Sequence, residues 1–292
     1  MHLNLDCILC DIQQVLTVTD LLKLDAANKE IIMRNVLDYL HSTNYERSNP
    51  EVIRGTWDII TNHVKDKDPY KEIKSYYNAE LSKLADEIKA LISQSQHKFD
   101  TALKIAITAN LIDFAANHSF DEGMLLNKIN NANAQHLEID DSKELYEKLK
   151  AAGTLLYLGD NCGEIVVDKI FIECIKTFFP AIKIYYGVRG EPIVNDVTIE
   201  DANMVQMQDV AEVISNGDGS LGTVIKRTSP AFRDAFYQAD VIIAKGQGNF
   251  ESLSEEERDN IFFLFMAKCQ AVASLLHVPK LSIVCVENKK NR

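Results

Sequence analysis

Three stretches in the second half of the chain bring together residue types that can do chemistry. Gly159-Asp160-Asn161-Cys162-Gly163-Glu164 sets a carboxylate beside a carboxamide between two glycines. Asn195-Asp196 is a second acid–amide pair, and Lys245-Gly246-Gln247-Gly248-Asn249 puts an ammonium at the head of a glycine-rich loop. Asp160, Asn161 and Asp196 can offer oxygen ligands to a hard divalent cation such as Mg²⁺ or Mn²⁺. They leave coordination positions for water and substrate, the open arrangement that catalysis needs. Lys245 and the backbone N–H groups of Gly246 to Asn249, Gly248 included, would cradle an anion, most naturally a phosphate. Plain structural readings stand beside these. Asp160 or Asn161 alone could cap the helix that follows, and by itself that stretch leaves the two readings even.

What favours chemistry is the set of elements that must carry these residues. Residues 154–158 read as a strand buried on both faces, running into an apolar-periodic helix over 164–179. Further strands are expected at 182–188, 212–215, 241–244 and 281–286, with helices at 198–203, 230–238 and 261–275. The alternation predicts an α/β fold with a doubly wound, mostly parallel sheet and helices on both faces. Such sheets bind ligands beyond the carboxyl ends of their strands. Asp160, Asn161, Asp196 and Lys245 all follow strands, so they are expected to converge there.

The first half reads as helical. Helices are expected over 26–40 with Asp25 as cap, over 52–64 after Pro50, along an amphipathic run at 70–92, and over a more uniformly apolar 101–116. The last carries Asn110 and Asp113, three apart and so on one face; lining a cleft and bonding within a core both account for them. Residues 140–150 read as a connecting helix. The expected organisation is a helical domain over 1–139 and an α/β metal- and phosphate-binding domain over 140–292.

The chain has 292 residues and a formal net charge of −12, which argues against a general affinity for nucleic acid or an anionic membrane. No apolar run nears the length of a bilayer span, and Met1-His2-Leu3-Asn4-Leu5-Asp6 lacks the regions of a signal peptide. Six cysteines are scattered, as in a reducing compartment, and a soluble cytoplasmic protein is expected. Cys7-x-x-Cys10 has no second ligand pair for zinc and no preceding strand for a thioredoxin-like site, so structural or substrate-proximal thiols are expected. No histidine sits in a nucleophile–base constellation. Gly246-Gln247-Gly248 lacks the third glycine of a dinucleotide fingerprint and the Gly-Lys-Ser/Thr of a P-loop.

The ordered set of motifs resembles the damage-control phosphatase family, whose eukaryotic branch includes a reported acidic-residue methyltransferase. It comprises Asn110-Leu111-Ile112-Asp113, Gly159-Asp160-Asn161-Cys162-Gly163-Glu164, Asn195-Asp196-Val197-Thr198 with Glu200-Asp201-Ala202, Lys245-Gly246-Gln247-Gly248-Asn249 and Met266-Ala267-Lys268-Cys269. Cys7-x-x-Cys10 and the compact length look like the mainly prokaryotic branch; the Arg-Thr-x-Lys motif of another branch is represented only by Lys268. The resemblance implies a metal-dependent phosphatase acting on small phosphorylated metabolites, sugar phosphates or damaged ones. It implies Mn²⁺, Co²⁺, Ni²⁺ or Mg²⁺ on residues matching Asp160, Asn161 and Asp196. It also implies contacts from Lys245, Asn249 and Lys268 to the phosphate or its attached group, with Asn110 reaching the site and Glu164 bordering it. A non-catalytic sugar-phosphate or nucleotide-binding protein would keep Lys245 and the glycine loop without needing the converging acids. An S-adenosylmethionine-dependent carboxyl methyltransferase would need a glycine-rich first βα turn, for which Gly159-x-x-x-Gly163 is a loose match.

Overall fold

The computed structural model describes residues 1–110 and 122–289. Its first part is helical: α1 (Leu5–Leu21), α2 (Ala26–Ser42), α3 (Asn49–Val64), α4 (Lys71–Lys83), α5 (Ala85–Gln94), α6 (Lys98–Ala109) and α7 (Glu122–Asn130). After the short strand β1 (Ile139–Asp140), helices and strands alternate. They are α8 (Ser142–Ala151), β2 (Thr154–Leu158), α9 (Glu164–Phe178), β3 (Lys183–Val188), α10 (Ile199–Met204), β4 (Glu212–Ser215) and α11 (Pro230–Gln238). Then come β5 (Val241–Lys245), α12 (Gly246–Leu253), β6 (Ile261–Met266), α13 (Gln270–Leu275) and β7 (Ile283–Glu287). Local chemistry sets several ends. Asp25 accepts from the Asn28 N–H at 2.8 Å, and at the start of α3 Glu51 accepts from the Ser48 N–H at 3.1 Å, with Pro50 in the first turn.

The seven strands lie in the order β1-β7-β6-β5-β2-β3-β4. Every neighbouring pair is parallel except β6 with β7. This is the α/β, mostly parallel sheet expected from the sequence. Alternation sorts the strand residues to two faces. Leu155, Tyr157, Val241, Ile243, Phe262 and Leu264 pack under α4–α6, α8 and α9. Leu156, Leu158, Ile242, Ala244, Phe263 and Phe265 pack against α11–α13. The first core contains Leu103 and Ala106 together with Ile165 and Phe171, so it runs across residue 139. A separate core joins α1–α3 to Ile193 and Val194.

Four expectations need correction. Residues 261–275 are not one helix: Ile261 to Met266 form β6, and only Gln270 to Leu275 are helical. Six consecutive apolar residues suit a strand covered on both faces, and that is how they pack. The run at 70–92 is two helices, interrupted at Leu84. Gly246 to Asn249 are not a loop but the first turn of α12. The helix expected at 101–116 runs from Lys98 to Ala109, while its far end and Asp113 lie outside the described residues. No helix among the described residues is long and apolar enough to cross a membrane.

Candidate active site

β2 and β5 are neighbours at the centre of the sheet. The chain winds from β2 outward through β3 and β4, then returns to β5 and β6 on the other side. The topological switch point therefore lies between β2 and β5, where ligand crevices form in such sheets. Asp160 follows β2 and Gly246 follows β5, and the two meet there. A Cβ on Gly246 would collide with the Asp160 carboxylate, and Gly246 has φ +80°; only glycine permits this approach.

A cavity of about 270 Å³ opens at this point. Asp160, Asn161, Asn195, Asp196, Gln247, Gly248, Glu251 and Lys268 line it, with Gln14 of α1, Asn49 of α3, Val194 and Leu221. An isolated antiparallel bridge between Asn161 and Asp196 ties the two acid-bearing turns together. The side chains of Asp160 and Asn161 do not cap α9. Gly163 (φ +76°) is its N-cap, and the Gly163 N–H donates to Asn78 Oδ1 of α4 at 2.6 Å.

The acids are held with one oxygen engaged and one left over. Asp160 Oδ2 accepts from Asn110 Nδ2 at 2.9 Å and Asn161 Nδ2 at 2.7 Å. Asp196 Oδ2 accepts from Arg189 Nε at 2.7 Å, both side chains being fully buried. Asp196 Oδ1 is buried without a hydrogen-bond partner among the described residues. The Gly222 backbone N–H approaches that carboxylate but does not reach hydrogen-bonding geometry at Oδ1. An orphaned carboxylate oxygen is costly in a protein interior and calls for a cation or donor. Burial, then the charges of Asp196 and Glu164, push Asp160 well above the usual carboxylate range, against Arg189 and Lys268. Burial also raises Asp196, although the Arg189 guanidinium opposes it.

Beneath the cavity floor lies a second network. Lys245 Nζ donates to Glu164 Oε1, to Asp168 Oδ1 at 2.7 Å and to the Ala106 carbonyl at 2.9 Å. Lys245 and both carboxylates are completely buried. Asp168 also accepts from Tyr157 Oη at 2.7 Å and Tyr186 Oη at 3.0 Å. Burial pushes Asp168 up to about 6, partly offset by Lys245. Lys245 lies above its usual value: burial presses it down, but Asp168 and Glu164 outweigh that. Glu164 Oε2 accepts from Asn110 and Asn161, joining this network to Asp160. Around the switch point, then, the carboxylates of Asp160, Glu164, Asp168, Asp196 and Glu251 outnumber the cations Lys245, Arg189 and Lys268.

The donor set fits a divalent cation. Among the described residues no group of three or more His, Cys, Asp or Glu side chains is placed to hold a metal ion. The arrangement is instead open: two carboxylates, each with an oxygen not engaged in hydrogen bonding among the described residues, and the amide oxygen of Asn161, whose NH₂ is already committed. Oxygen donors with vacant positions suit Mg²⁺ or Mn²⁺.

Residues 3–284 match the damage-control phosphatase ARMT1-like domain. The chain belongs to that family. A damage-control phosphatase of Pyrococcus horikoshii is 43% identical over 222 residues, 76% of this chain and 75% of that protein. One from Archaeoglobus fulgidus is 33% identical over 209 residues, 71% of each. A crystal structure of a DUF89 family protein from Pyrococcus horikoshii superposes with a TM-score of 0.92 at 35% identity, covering 99% of this chain and 100% of that one.

Within this damage-control phosphatase fold, Asp160, Asn161, Asp196, Gly248 and Lys268 line one cavity. Lys268 is the cationic side chain among the described lining residues. Two expected phosphate contacts are not there. Lys245 is the third residue of the Val241–Ile243–Lys245 face of β5, so it points beneath α9, where all three of its hydrogens are used. Asn249 is also fully buried: its Nδ2 donates to the Lys245 carbonyl at 2.7 Å and its Oδ1 accepts from Thr223 Oγ1 at 2.8 Å. Gly246 is buried under Asp160 and serves by its lack of a side chain. Asn110 and Glu164 touch Asp160 or Asn161 from behind. Sequence reasoning missed Asn78, Asp168 and the partner role of Arg189. Asn78 sits beside Tyr77 on the buried stripe of α4, and Asp168 interrupts the apolar stripe of α9. A polar residue on such a stripe must have a partner, and that was the available signal. Cys7 is buried and Cys10 exposed, neither in a disulfide; burial pushes the Cys7 thiol up to about 12.

Proposed function

We propose that this chain is a metal-dependent phosphatase that hydrolyses phosphomonoesters of small metabolites at the β2/β5 switch point. The observation that carries the reading is the orphaned, buried Oδ1 of Asp196 on the wall that Asp160 and Asn161 share. Family membership supports the phosphatase activity. Asp160, Asn161 and Asp196 would hold the cation. A bound Mn²⁺, Co²⁺, Ni²⁺ or Mg²⁺ supplies Lewis acidity and lowers the pKa of water. The remaining work falls to the chain. Arg189 fixes Asp196 by its other oxygen, so the ligand oxygen needs no reorganisation. Lys268 and the amides that open α12 offer positive charge to phosphoryl oxygens, as a helix N-terminus does. The Lys245–Glu164–Asp168 cluster stiffens the floor through Asn110 and Asn161.

The test is calorimetric titration of Mn²⁺ into chelator-treated protein, repeated in buffers of different ionisation enthalpy. Because Asp160 is raised in the metal-free protein and only the carboxylate binds metal, binding should release a proton and strengthen as pH rises. Asp196→Asn should abolish binding. Binding that persists in that variant contradicts the ligand assignment.

A further inference from the structure

Val194 has φ +46°, the left-handed region in which a β-branched side chain is a genuine outlier. What holds it is tertiary. Ile193 and Val194 are buried in the core of α1–α3. Trp57 of α3 donates its indole N–H to the Pro192 carbonyl at 3.0 Å. On the sheet side the Asp196 N–H closes a turn onto the Ile193 carbonyl at 3.0 Å, and the Cys162 N–H donates to the Asn195 carbonyl at 2.9 Å. Val194 is therefore the joint between a helical core and the turn that presents Asp196. Strain of this kind persists only where the surroundings over-determine it, and it clusters at functional sites.

We propose that Val194 is a positioning residue for Asp196. Its side chain, locked in the α1–α3 core, forces the left-handed turn, and the turn fixes where the free carboxylate oxygen of Asp196 stands relative to Asp160. The helices thereby tune a ligand that they do not themselves supply. This inference rests on the metallophosphatase reading above.

The experiment compares wild type, Val194→Ala and Val194→Gly in thermal melts, Mn²⁺ binding by calorimetry, and kcat and KM on p-nitrophenyl phosphate. At ordinary φ a glycine variant melts below its alanine counterpart. Here Val194→Gly should melt at or above Val194→Ala, because only glycine is free of the strain. With the turn released, Val194→Gly should bind Mn²⁺ at least tenfold more weakly and lose at least tenfold in kcat, with KM within threefold. Trp57→Phe, which keeps an aromatic ring in the α1–α3 core but loses the donor to Pro192 together with part of the buried indole, should weaken Mn²⁺ binding in the same direction, and it serves if the Val194 variants do not fold. The ordinary Ala-above-Gly order, or Mn²⁺ binding by Val194→Gly within threefold of wild type, overturns the proposal. Wild-type protein that binds no Mn²⁺ would instead refute the metallophosphatase reading and, with it, the role given to Val194.

Discussion

Lys245→Met separates two jobs that a lysine at the end of β5 could have. The substitution keeps most of the volume, so it creates little cavity; its main effect is on charge. In the wild type one ammonium compensates two carboxylates, all three completely buried. Removing one partner of a buried ion pair costs about 3–5 kcal/mol, because a charge is left uncompensated. At roughly 2–4 °C per kcal/mol for chains of this order, the melting temperature should fall by roughly 6–20 °C. The loss should shrink on acidification. Burial already holds Asp168 above its ordinary value, and losing the Lys245 ammonium raises it further in the folded state, so the variant is most stable where Asp168 is protonated and loses stability as pH rises. Adding Glu164→Gln and Asp168→Asn to Lys245→Met should recover part of the loss, which a mutant cycle would measure. The assay is thermal unfolding of the metal-free proteins between pH 5 and pH 8. A Lys245→Met protein as stable as wild type that has lost only phosphate affinity would refute the buried-cluster argument and return Lys245 to the phosphate site.

Two further outcomes follow from the geometry. Asp11 is fully buried with neither carboxylate oxygen hydrogen-bonded among the described residues, and burial, with the Glu251 charge, pushes it up to about 7. An acid raised from 3.8 to about 7 destabilises the fold progressively as pH rises between those values, by up to about 4 kcal/mol at pH 8. Asp11→Asn should therefore gain on wild type from pH 4 to pH 7 and hold a constant advantage above; parallel melting-temperature curves for the two proteins would contradict this. Gly246→Ala must displace the Asp160 carboxylate and adopt an unfavourable φ. It should cost about 1–3 kcal/mol of stability and abolish Mn²⁺ binding in calorimetry, whereas intact binding would mean that Asp160 is not a ligand.

Much of this was legible in the sequence because burial on both faces leaves a plain mark. The apolar run at 154–158 and the residues after it locate both the central strand and the acid at its end. The same mark was misread at Ile261 to Met266, where an apolar strand and a short helix follow each other closely enough to pass for one helix. Asp160, Asn161 and Asp196 could be picked out because polar groups at strand ends have few structural uses, whereas Lys268, inside the helix expected over 261–275, is indicated only by the family resemblance. Lys245 could not be assigned from its position alone, since the last residue of a strand points either beyond the sheet or into a face. Its parity with Val241 and Ile243 decides for the face. Asn78 and Trp57 act from more than eighty residues away on the turns that they hold, and no local pattern connects them to those turns.

The most direct measurement is hydrolysis of p-nitrophenyl phosphate by chelator-treated protein, with Mn²⁺, Co²⁺, Ni²⁺, Mg²⁺ and Zn²⁺ restored one at a time. Wild type and Asp160→Ala would be compared after both are shown to be folded. The account predicts no turnover without metal, turnover restored by at least one of the oxygen-seeking cations, and none in Asp160→Ala under any condition. Hydrolysis that survives chelation, or that Asp160→Ala retains, would contradict it.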